Sequence, residues 1–312
     1  MKTFKRTSLW LSILFAIIMI SIALTAQTPV NRDRYIVLTI TENPNGESAF
    51  TYDSEDQKAH LYLTADADNT PVEIVYGNTR NTIMVHSRER SSEGTQYVYL
   101  PATSTMTIYG NVNGLNCCAT GHEMFFGLAA TEFNGGIQGP VSNINISHNQ
   151  GLKTLDCTNN VISLLDVSRN TALEELNCSH NSLTTLDVSR NTALKSLDCS
   201  SNALGTIDVS RNTSLVSLSC SENGLLQIDV SRNTALKSLD CCINQLTRLD
   251  VSRNTALTDL NCFANELRSI DISRNTALTR LICSGNKLTA LDIRPNTAIE
   301  ELNCEQNEIA QL

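Results

Sequence analysis

The hydrophobic positions in the second half of the chain recur every 21 residues. In one period the inward-facing positions are Leu173, Leu176, Cys178, Leu183, Leu186, Val188 and Leu194. Leu176 and Cys178 are two residues apart, so they share one face of a strand. A constant period of this length predicts a solenoid, in which each turn repeats one supersecondary unit and stacks on its neighbour.

One column of this pattern is cysteine, a cysteine ladder formed by Cys157, Cys178, Cys199, Cys220, Cys241, Cys262, Cys283 and Cys304. Adjacent parallel strands lie about 4.8 Å apart, so these side chains should stack with parallel Cβ vectors. That arrangement misses disulfide geometry, and it does not converge as tetrahedral zinc requires. We therefore expect a structural core ladder of free, buried thiols; a few disulfides and a metal site are the alternatives.

Two asparagine columns follow the same period. The first contains Asn160, Asn181, Asn202, Asn223, Asn244, Asn265, Asn286 and Asn307. The second contains Asn149, Asn170, Asn191, Asn212, Asn233, Asn254, Asn275 and Asn296. Since one amide offers both a donor and an acceptor, we expect each column to satisfy N–H and C=O groups of a turning backbone.

An acidic column and a basic column accompany them. The acidic column is Asp166, Asp187, Asp208, Asp229, Asp250, Asp271 and Asp292. Three residues further on stand Arg169, Arg190, Arg211, Arg232, Arg253 and Arg274. Each Asp lies between two inward residues and should point outward. Charge balancing by arginine is the favoured interpretation, and a calcium-binding stripe is the alternative.

The preceding part of the chain has a different pattern. Short β-branched or alternating runs, separated by turn residues, predict strands at Tyr35–Thr41, Ala49–Asp53, Leu61–Ala65, Val72–Tyr76, Thr82–His86, Gln96–Leu100 and Met106–Tyr109. We expect a small antiparallel β-rich domain over residues 27–110 that caps the solenoid. Residues 1–26 predict a cleaved signal peptide, with basic Lys2, Lys5 and Arg6 before an apolar run; an uncleaved anchor is the alternative.

The repeat LxxLxCxxNxLxxLDVSxNxx resembles the leucine-rich repeat family, with cysteine where leucine is commoner. The period and the cysteine resemble internalins of the internalin J type and related Bacteroidetes surface proteins. The resemblance implies a mainly β, right-handed solenoid with a parallel sheet on its concave face. It covers residues 111–312, irregular to 143 and regular over 144–312, with a degenerate start at Val112, Leu115 and Cys117. Cys117, Cys118 and Cys242 stand outside the ladder.

Charge and motifs restrict the function. The net charge is −9, and loss of the three leader cations makes it −12, which argues against nucleic-acid binding and docking on anionic membranes. No apolar run after the leader is long enough to span a membrane. Catalytic triads, phosphate loops and zinc spacings are lacking in the sequence, so we expect no enzymatic activity and no cofactor.

The residues that flank each ladder cysteine define the candidate binding surface. Most are small and polar. An apolar cluster on three consecutive turns is the exception, and it comprises Cys242, Ile243, Phe263, Ala264 and Ile282. His180 is the one histidine expected on the strand face. An exposed apolar group with a polar rim is typical of an interaction site, although these residues could instead tuck under a neighbouring turn.

These features predict a secreted or surface-exposed bacterial protein that binds a protein ligand through its concave face. The resemblance implies adhesion to host or other cells. A structural spacer, an enzyme inhibitor and a glycan-binding module are the alternatives. The last turn lacks its Asp-Val-Ser segment, which exposes its core. A truncated gene, a longer parent protein and self-association through that end are the three expectations.

Overall fold

The computed structural model describes residues 33–40, 58–65, 70–76, 79–85, 95–99, 105–109, 112–116 and 141–310. These residues form sixteen strands and no helix. The predicted signal peptide, the predicted strand Ala49–Asp53 and residues Cys117 and Cys118 lie outside the described residues.

Eight strands form the first part of the chain. They are β1 (Tyr35–Ile40), β2 (Lys58–Ala65), β3 (Thr70–Tyr76), β4 (Thr79–Val85), β5 (Thr95–Tyr99), β6 (Thr105–Tyr109), β7 (Val112–Asn116) and β8 (Val141–Asn145). The predicted strands that fall on described residues are therefore confirmed, with ends that differ by a few residues. Five of them form an antiparallel sheet in the order β4-β3-β6-β1-β8.

Eight three-residue strands form the solenoid. They are β9 (Thr154–Asp156), β10 (Glu175–Asn177), β11 (Ser196–Asp198), β12 (Ser217–Ser219), β13 (Ser238–Asp240), β14 (Asp259–Asn261), β15 (Arg280–Ile282) and β16 (Glu301–Asn303). Each pairs in parallel with the next, and the register advances by one period per turn, as in Leu176↔Leu197 and Leu197↔Leu218. The predicted β-solenoid is thus confirmed.

The solenoid sheet continues into the first part of the chain. β7 pairs in parallel with β9, with Leu115 opposite Leu155, and antiparallel with β2, which pairs with β5. The full order is β16 to β9, then β7, β2 and β5. The degenerate repeat at Val112 therefore supplies a strand in solenoid register. Because β8 pairs with β1, each sheet contains strands from both sides of residue 110.

Side chains at the start of β1 reinforce this junction. Arg34 Nη2 donates to Asn149 Oδ1 at 2.7 Å, and the Tyr35 ring stacks on His148 with centroids 4.2 Å apart. A Cβ on Gly151 would lie 2.2 Å from Arg34 Nη2. Later turns have alanine or serine at this position. Glycine therefore makes room here for the Arg34 guanidinium.

The solenoid core consists of the apolar columns of the repeat. The central leucine of each strand from β9 to β15 is exposed by no more than 2%. Leucine or isoleucine and valine columns of the other two sides pack against it in one continuous cluster. Each turn therefore buries its apolar residues against the next turn, which a single turn could not do alone.

The first asparagine column binds successive turns together. Asn223 Nδ2 donates to the carbonyls of Cys220 and Ser221 in its own turn and to Cys199 O of the preceding turn, at 2.8–3.2 Å. Its Oδ1 accepts from Leu204 N–H at 3.3 Å. The amide thus uses donor and acceptor together, as the sequence predicted.

The second asparagine column behaves differently. Asn212 Nδ2 donates to Val188 O and Asn191 O of the preceding turn, both at 2.9 Å. Its Oδ1 is buried and accepts no hydrogen bond from the described part of the protein, and the same holds from Asn170 to Asn296. The expectation that both columns satisfy donors and acceptors is therefore wrong for the second. Its backbone N–H and C=O instead close two tight turns within each repeat.

Replacement of Asn223 by alanine should destabilise the solenoid by about 2–4 kcal/mol, because it leaves buried backbone groups of two turns without partners. Thr213→Ala, on an exposed position, is the matched control and should change stability by no more than about 0.5 kcal/mol. Urea unfolding followed by circular dichroism measures both. Equal midpoints for the two variants would contradict the role assigned to the first column.

Candidate functional site

The strand face presents two rows of side chains on either side of the buried leucines. In β10 to β14 the first and third residues are half-buried and the central leucine is buried. The third-position row includes Asp198, Ser219 and Asp240. The alternation places these polar rows outward, where a ligand can reach them.

The positions two residues after each cysteine lie in a corner and not in a strand. Seven of them are non-glycine residues with positive φ: Asn159, His180, Ser201, Glu222, Ile243, Ala264 and Gln306. Each strand ends just before its cysteine, because the next residues must turn. The expectation that His180 lies on the strand face is therefore wrong, and Ile243 and Ala264 lie in the same kind of corner. Their left-handed backbone places these residues in the corner at the edge of the sheet, where His180 and Ile243 are exposed and Ala264 is half-buried.

The structure brings four of the predicted binding residues together, and we define Cys242, Ile243, Phe263 and Ala264 as the apolar patch. Ile243 is 44% exposed, whereas the other three are half-buried. Ile243 N–H donates to Phe263 O at 2.8 Å across adjacent turns. The patch is thus a compact apolar surface with one prominent side chain.

Two predicted site residues do not belong to this patch. Ile282 is only 9% exposed, so it tucks into the sheet and offers little surface. His180 is exposed, but it extends from the turn of β10, three turns before Ile243 in β13's turn. Its solvent exposure and its distance along the solenoid give it no shared surface with the patch.

A glycine that sequence reasoning missed positions the aromatic ring. A Cβ at Gly285 would lie 3.2 Å from Phe263 Cε2, and Gly285 has φ of +63°. The ring therefore leans over the next turn, where a larger residue would push it away. Gly285 lies 22 residues after Phe263, in the next turn, and this spacing is the signal in the sequence that predicts the contact.

Charged and polar side chains form a row on the strand face of β14 to β16, which includes the turn that carries Phe263. Arg280 Nε donates to Glu301 at 3.0 Å, and Arg280 Nη1 donates to Asp259 at 3.3 Å, so three successive strands carry one ion-pair row. Asn261 Nδ2 donates to Asp240 Oδ2 at 3.1 Å. The members of the row are 21 residues apart, so the repeat period is the signal in the sequence that predicts this contact.

The cysteine ladder is a structural column of free thiols. Cys157 to Cys283 are fully buried, and Cys304 is half-buried in the last described turn. Cys199 Sγ donates to Ser219 O at 3.4 Å, and Cys157 Sγ donates to Asn177 O at 3.5 Å. Burial raises the pKa of Cys283 to about 12, and that of Cys199 further still. These thiols are packing groups with little thiolate character.

Cys242 also has a raised pKa, although it is only half-buried. Burial, followed by the charge of Asp240, raises its pKa to about 12. A thiol with this pKa is a poor nucleophile at neutral pH. Cys242 therefore contributes apolar surface to the patch.

The acidic column serves the turns rather than the arginines. Asp187 Oδ1 accepts from Ser189 N–H at 2.9 Å, and hydrogen bonds from the Ser189 hydroxyl and N–H lower its pKa, with a smaller effect of Arg190. Among the described residues, Asp292 is the column member with an ion pair, to Arg294 at 2.6 Å. At Asp250, hydrogen bonds from Ser252 lower the pKa most, and the charges of Arg253 and Arg274 lower it further. The expected charge balancing by arginine is therefore present as a weak interaction, without close ion pairs among the described members of the arginine column.

Within the described ranges, no group of three metal-ligating side chains could hold an ion. The same residues include no helix with the length and apolarity to cross a bilayer. Exposed Glu301, Glu305 and Glu308 surround the last described turn. Self-association through that end stays a prediction, and like charges of two copies would repel there.

Period, parallel register and cysteine ladder together define a leucine-rich repeat solenoid. The solenoid is similar to the functional domain of InlJ from Listeria monocytogenes, which is described as including a cysteine ladder: 39% identity and a TM-score of 0.55 over 55% of this chain and 38% of that chain. The predicted resemblance to internalin repeat proteins is thereby confirmed.

An internalin (inlF) from the same organism aligns with 18% identity and a TM-score of 0.46 over 64% of this chain and 66% of that chain. Internalin C2 from the same organism gives 18% identity and a TM-score of 0.42. No family model and no curated protein matches the sequence. The chain spans less than half the length of the InlJ domain.

The ladder thiols from Cys178 to Cys283 should resist iodoacetamide at pH 8 in the folded protein and react in concentrated urea, because their burial keeps them protonated. Mass spectrometry of tryptic peptides resolves Cys199 and Cys220 individually. With a pKa of about 12, Cys242 should be thiolate in only about one molecule in ten thousand. Modification of Cys199 at equal rates with and without urea would contradict the buried ladder.

The acidic column should make the fold sensitive to acid. Its folded pKa values lie below those of free aspartate, down to about 2 at Asp292, so its contribution is complete above about pH 4 and lost as pH falls towards 2. The triple variant Asp187→Asn, Asp208→Asn and Asp229→Asn retains an acceptor for each serine N–H. Its thermal midpoint should fall less between pH 5 and pH 2 than that of the parent; an identical fall would disprove the assignment.

Proposed function

We propose that this chain is a non-enzymatic protein-binding module and that the apolar patch is the centre of its binding surface. The observation that carries the proposal is Ile243, which is 44% exposed beside half-buried Phe263 on the rim of the strand sheet. Interface hot spots have this composition: an aromatic or aliphatic anchor, surrounded by polar residues that exclude water.

The surroundings favour a protein ligand. The ion-pair row of Asp259, Arg280 and Glu301 and the amide of Asn261 supply donors and acceptors that match a peptide backbone or polar side chains. Glycan recognition by stacking uses aromatic platforms, and Phe263 is the sole aromatic residue after position 133. The patch therefore fits an apolar side chain of a protein partner better than a sugar ring.

We further propose that the protein acts outside the cell, where it adheres to host or other cells. The similarity to the InlJ domain and the leader-like residues 1–26 support this location. Because the chain covers 38% of that domain, the partner of the relative is not transferred. A spacer role would predict a strand face without a saturable ligand.

The test uses the purified chain as bait for cell-surface extracts, followed by affinity measurement with each captured protein. Ile243→Ser and Phe263→Ala should each weaken binding at least about tenfold, since an anchor contact contributes more than 1 kcal/mol. Leu226→Ser is the matched control, because Leu226 is 65% exposed but lies outside the patch.

Circular dichroism first establishes that all three variants fold. Equal affinity of the patch variants and the parent would refute the patch as the binding centre. Absence of any saturable protein ligand would favour the spacer, and binding to a sugar array alone would favour the glycan module.

A further inference from the structure

The exposed columns of the solenoid fall into two groups. The columns flanking the cysteines change from turn to turn, as in His180, Ser201, Glu222 and Ile243. The columns of the Asp-Val-Ser-Arg-Asn-Thr segment are constant over six turns, except that Ile272 replaces valine in the sixth. Their exposed columns are Asp at 166–271, Arg at 169–274 and Thr at 171–276, each every 21 residues, and the Ser column at 168–273 is half-buried or exposed. A shared origin of the repeats does not account for this, because neighbouring positions in the same turns have diverged.

The local backbone explains part of the uniformity. Asn191 N–H donates to Val188 O and Leu194 N–H donates to Asn191 O, so two β-turns follow one another in each repeat. Asp187 caps the first turn through Ser189, and buried Asn191 links it to the preceding turn. Aspartate, serine and asparagine are therefore required by the fold.

Arginine is not required in the same way. Arg190 occupies the third position of its β-turn without a positive φ, a position that accepts most residues. All six arginines of the column are exposed, and in the described part of the chain they form no ion pair. At Asp187, hydrogen bonds from Ser189 lower the pKa most, and the charge of Arg190 lowers it less. An arginine that the turn does not need, and whose interaction with its own chain is this weak, nevertheless recurs in six consecutive turns.

The turns on either side of these six depart from the pattern, and the residues that replace arginine or serine there contact other residues of the same chain. At the first turn His148 replaces arginine and stacks on Tyr35. At the last turn Arg294 and Pro295 replace serine and arginine, and Arg294 pairs with Asp292 of its own turn. Within these columns, the described charges without an ion pair thus lie in six central turns, which we define as the double-turn face: the Asp, Ser and Arg columns from Asp166 to Arg274.

We propose that the double-turn face binds a second copy of this chain, with the two solenoids side by side and parallel. A two-fold axis along the solenoid places each Asp column opposite the partner's Arg column, turn by turn. A two-fold axis across the columns would place like charges opposite one another. The pitch of about 4.8 Å per turn is the same in both copies, so every turn stays in register.

A second copy fits this face better than a linear polyanion. The face carries six carboxylates and six guanidinium groups, so its charges cancel, and the chain as a whole has a net charge of −9 that repels polyanions. Six turns span about 25 Å, which is small for a stable interface. The dimer should therefore be weak, reversible and sensitive to salt, because exposed pairs are screened.

Sedimentation velocity of the purified chain, from micromolar to millimolar concentration, tests the proposal. At low ionic strength a reversible dimer should form, and it should weaken as salt increases. The double variant Arg211→Glu and Arg232→Glu should weaken dimerisation at least about tenfold, because it places like charges opposite one another. Arg248→Glu with Arg268→Glu is the matched control: both arginines are exposed, lie outside the double-turn face and change the net charge equally.

A photo-crosslinking residue in place of exposed Ser231, which lies near the proposed axis, should capture residues 229–232 of the second copy. Ile243→Ser should leave the dimer intact, which separates this result from that for the apolar patch. The proposal is overturned by a monomer at every concentration, by equal weakening in the control, or by cross-links to any other segment.

Discussion

The asparagine amide that joins one turn to the next is the contact on which the solenoid depends. A chain that turns three times in 21 residues turns many carbonyls and N–H groups inward, away from the short strands and from water. Asn202 illustrates the solution: its amide donates to Cys178 O and Cys199 O in two turns and accepts from Leu183 N–H. The leucines can pack closely because this amide forms the hydrogen bonds that the buried backbone groups of the corner would otherwise lack.

This constraint explains the choice of cysteine in the strand column. The position lies directly at the corner, where Cys199 N–H and Sγ both approach Ser219 O of the next turn. A small side chain with a weak donor fits beside the amide column and still excludes water. The columns of cysteine and asparagine are thus two parts of one arrangement, and the thiols need no redox role.

The repeat architecture, its register and its core could be predicted from the sequence, because period and alternation follow directly from side-chain direction. The chemistry of the corners could not. Two features arise from the way each turn packs against its neighbours: the positive φ at Ile243 and the side-chain oxygen Oδ1 of Asn212, which accepts no hydrogen bond from the described residues. Likewise, the burial of Ile282 and the dependence of Phe263 on Gly285 involve adjacent turns, whose contacts no single repeat reveals.

The left-handed corner has a consequence for diversification. Its conformation recurs with asparagine, histidine, serine, glutamate, isoleucine, alanine and glutamine, so the surrounding hydrogen bonds impose it whatever the side chain. Each turn therefore has one position at which the residue type can change without altering the backbone of the repeat. Eight such positions follow one another along the solenoid. Substitutions there can change what the surface binds, while the leucine, cysteine and asparagine columns continue to determine the fold.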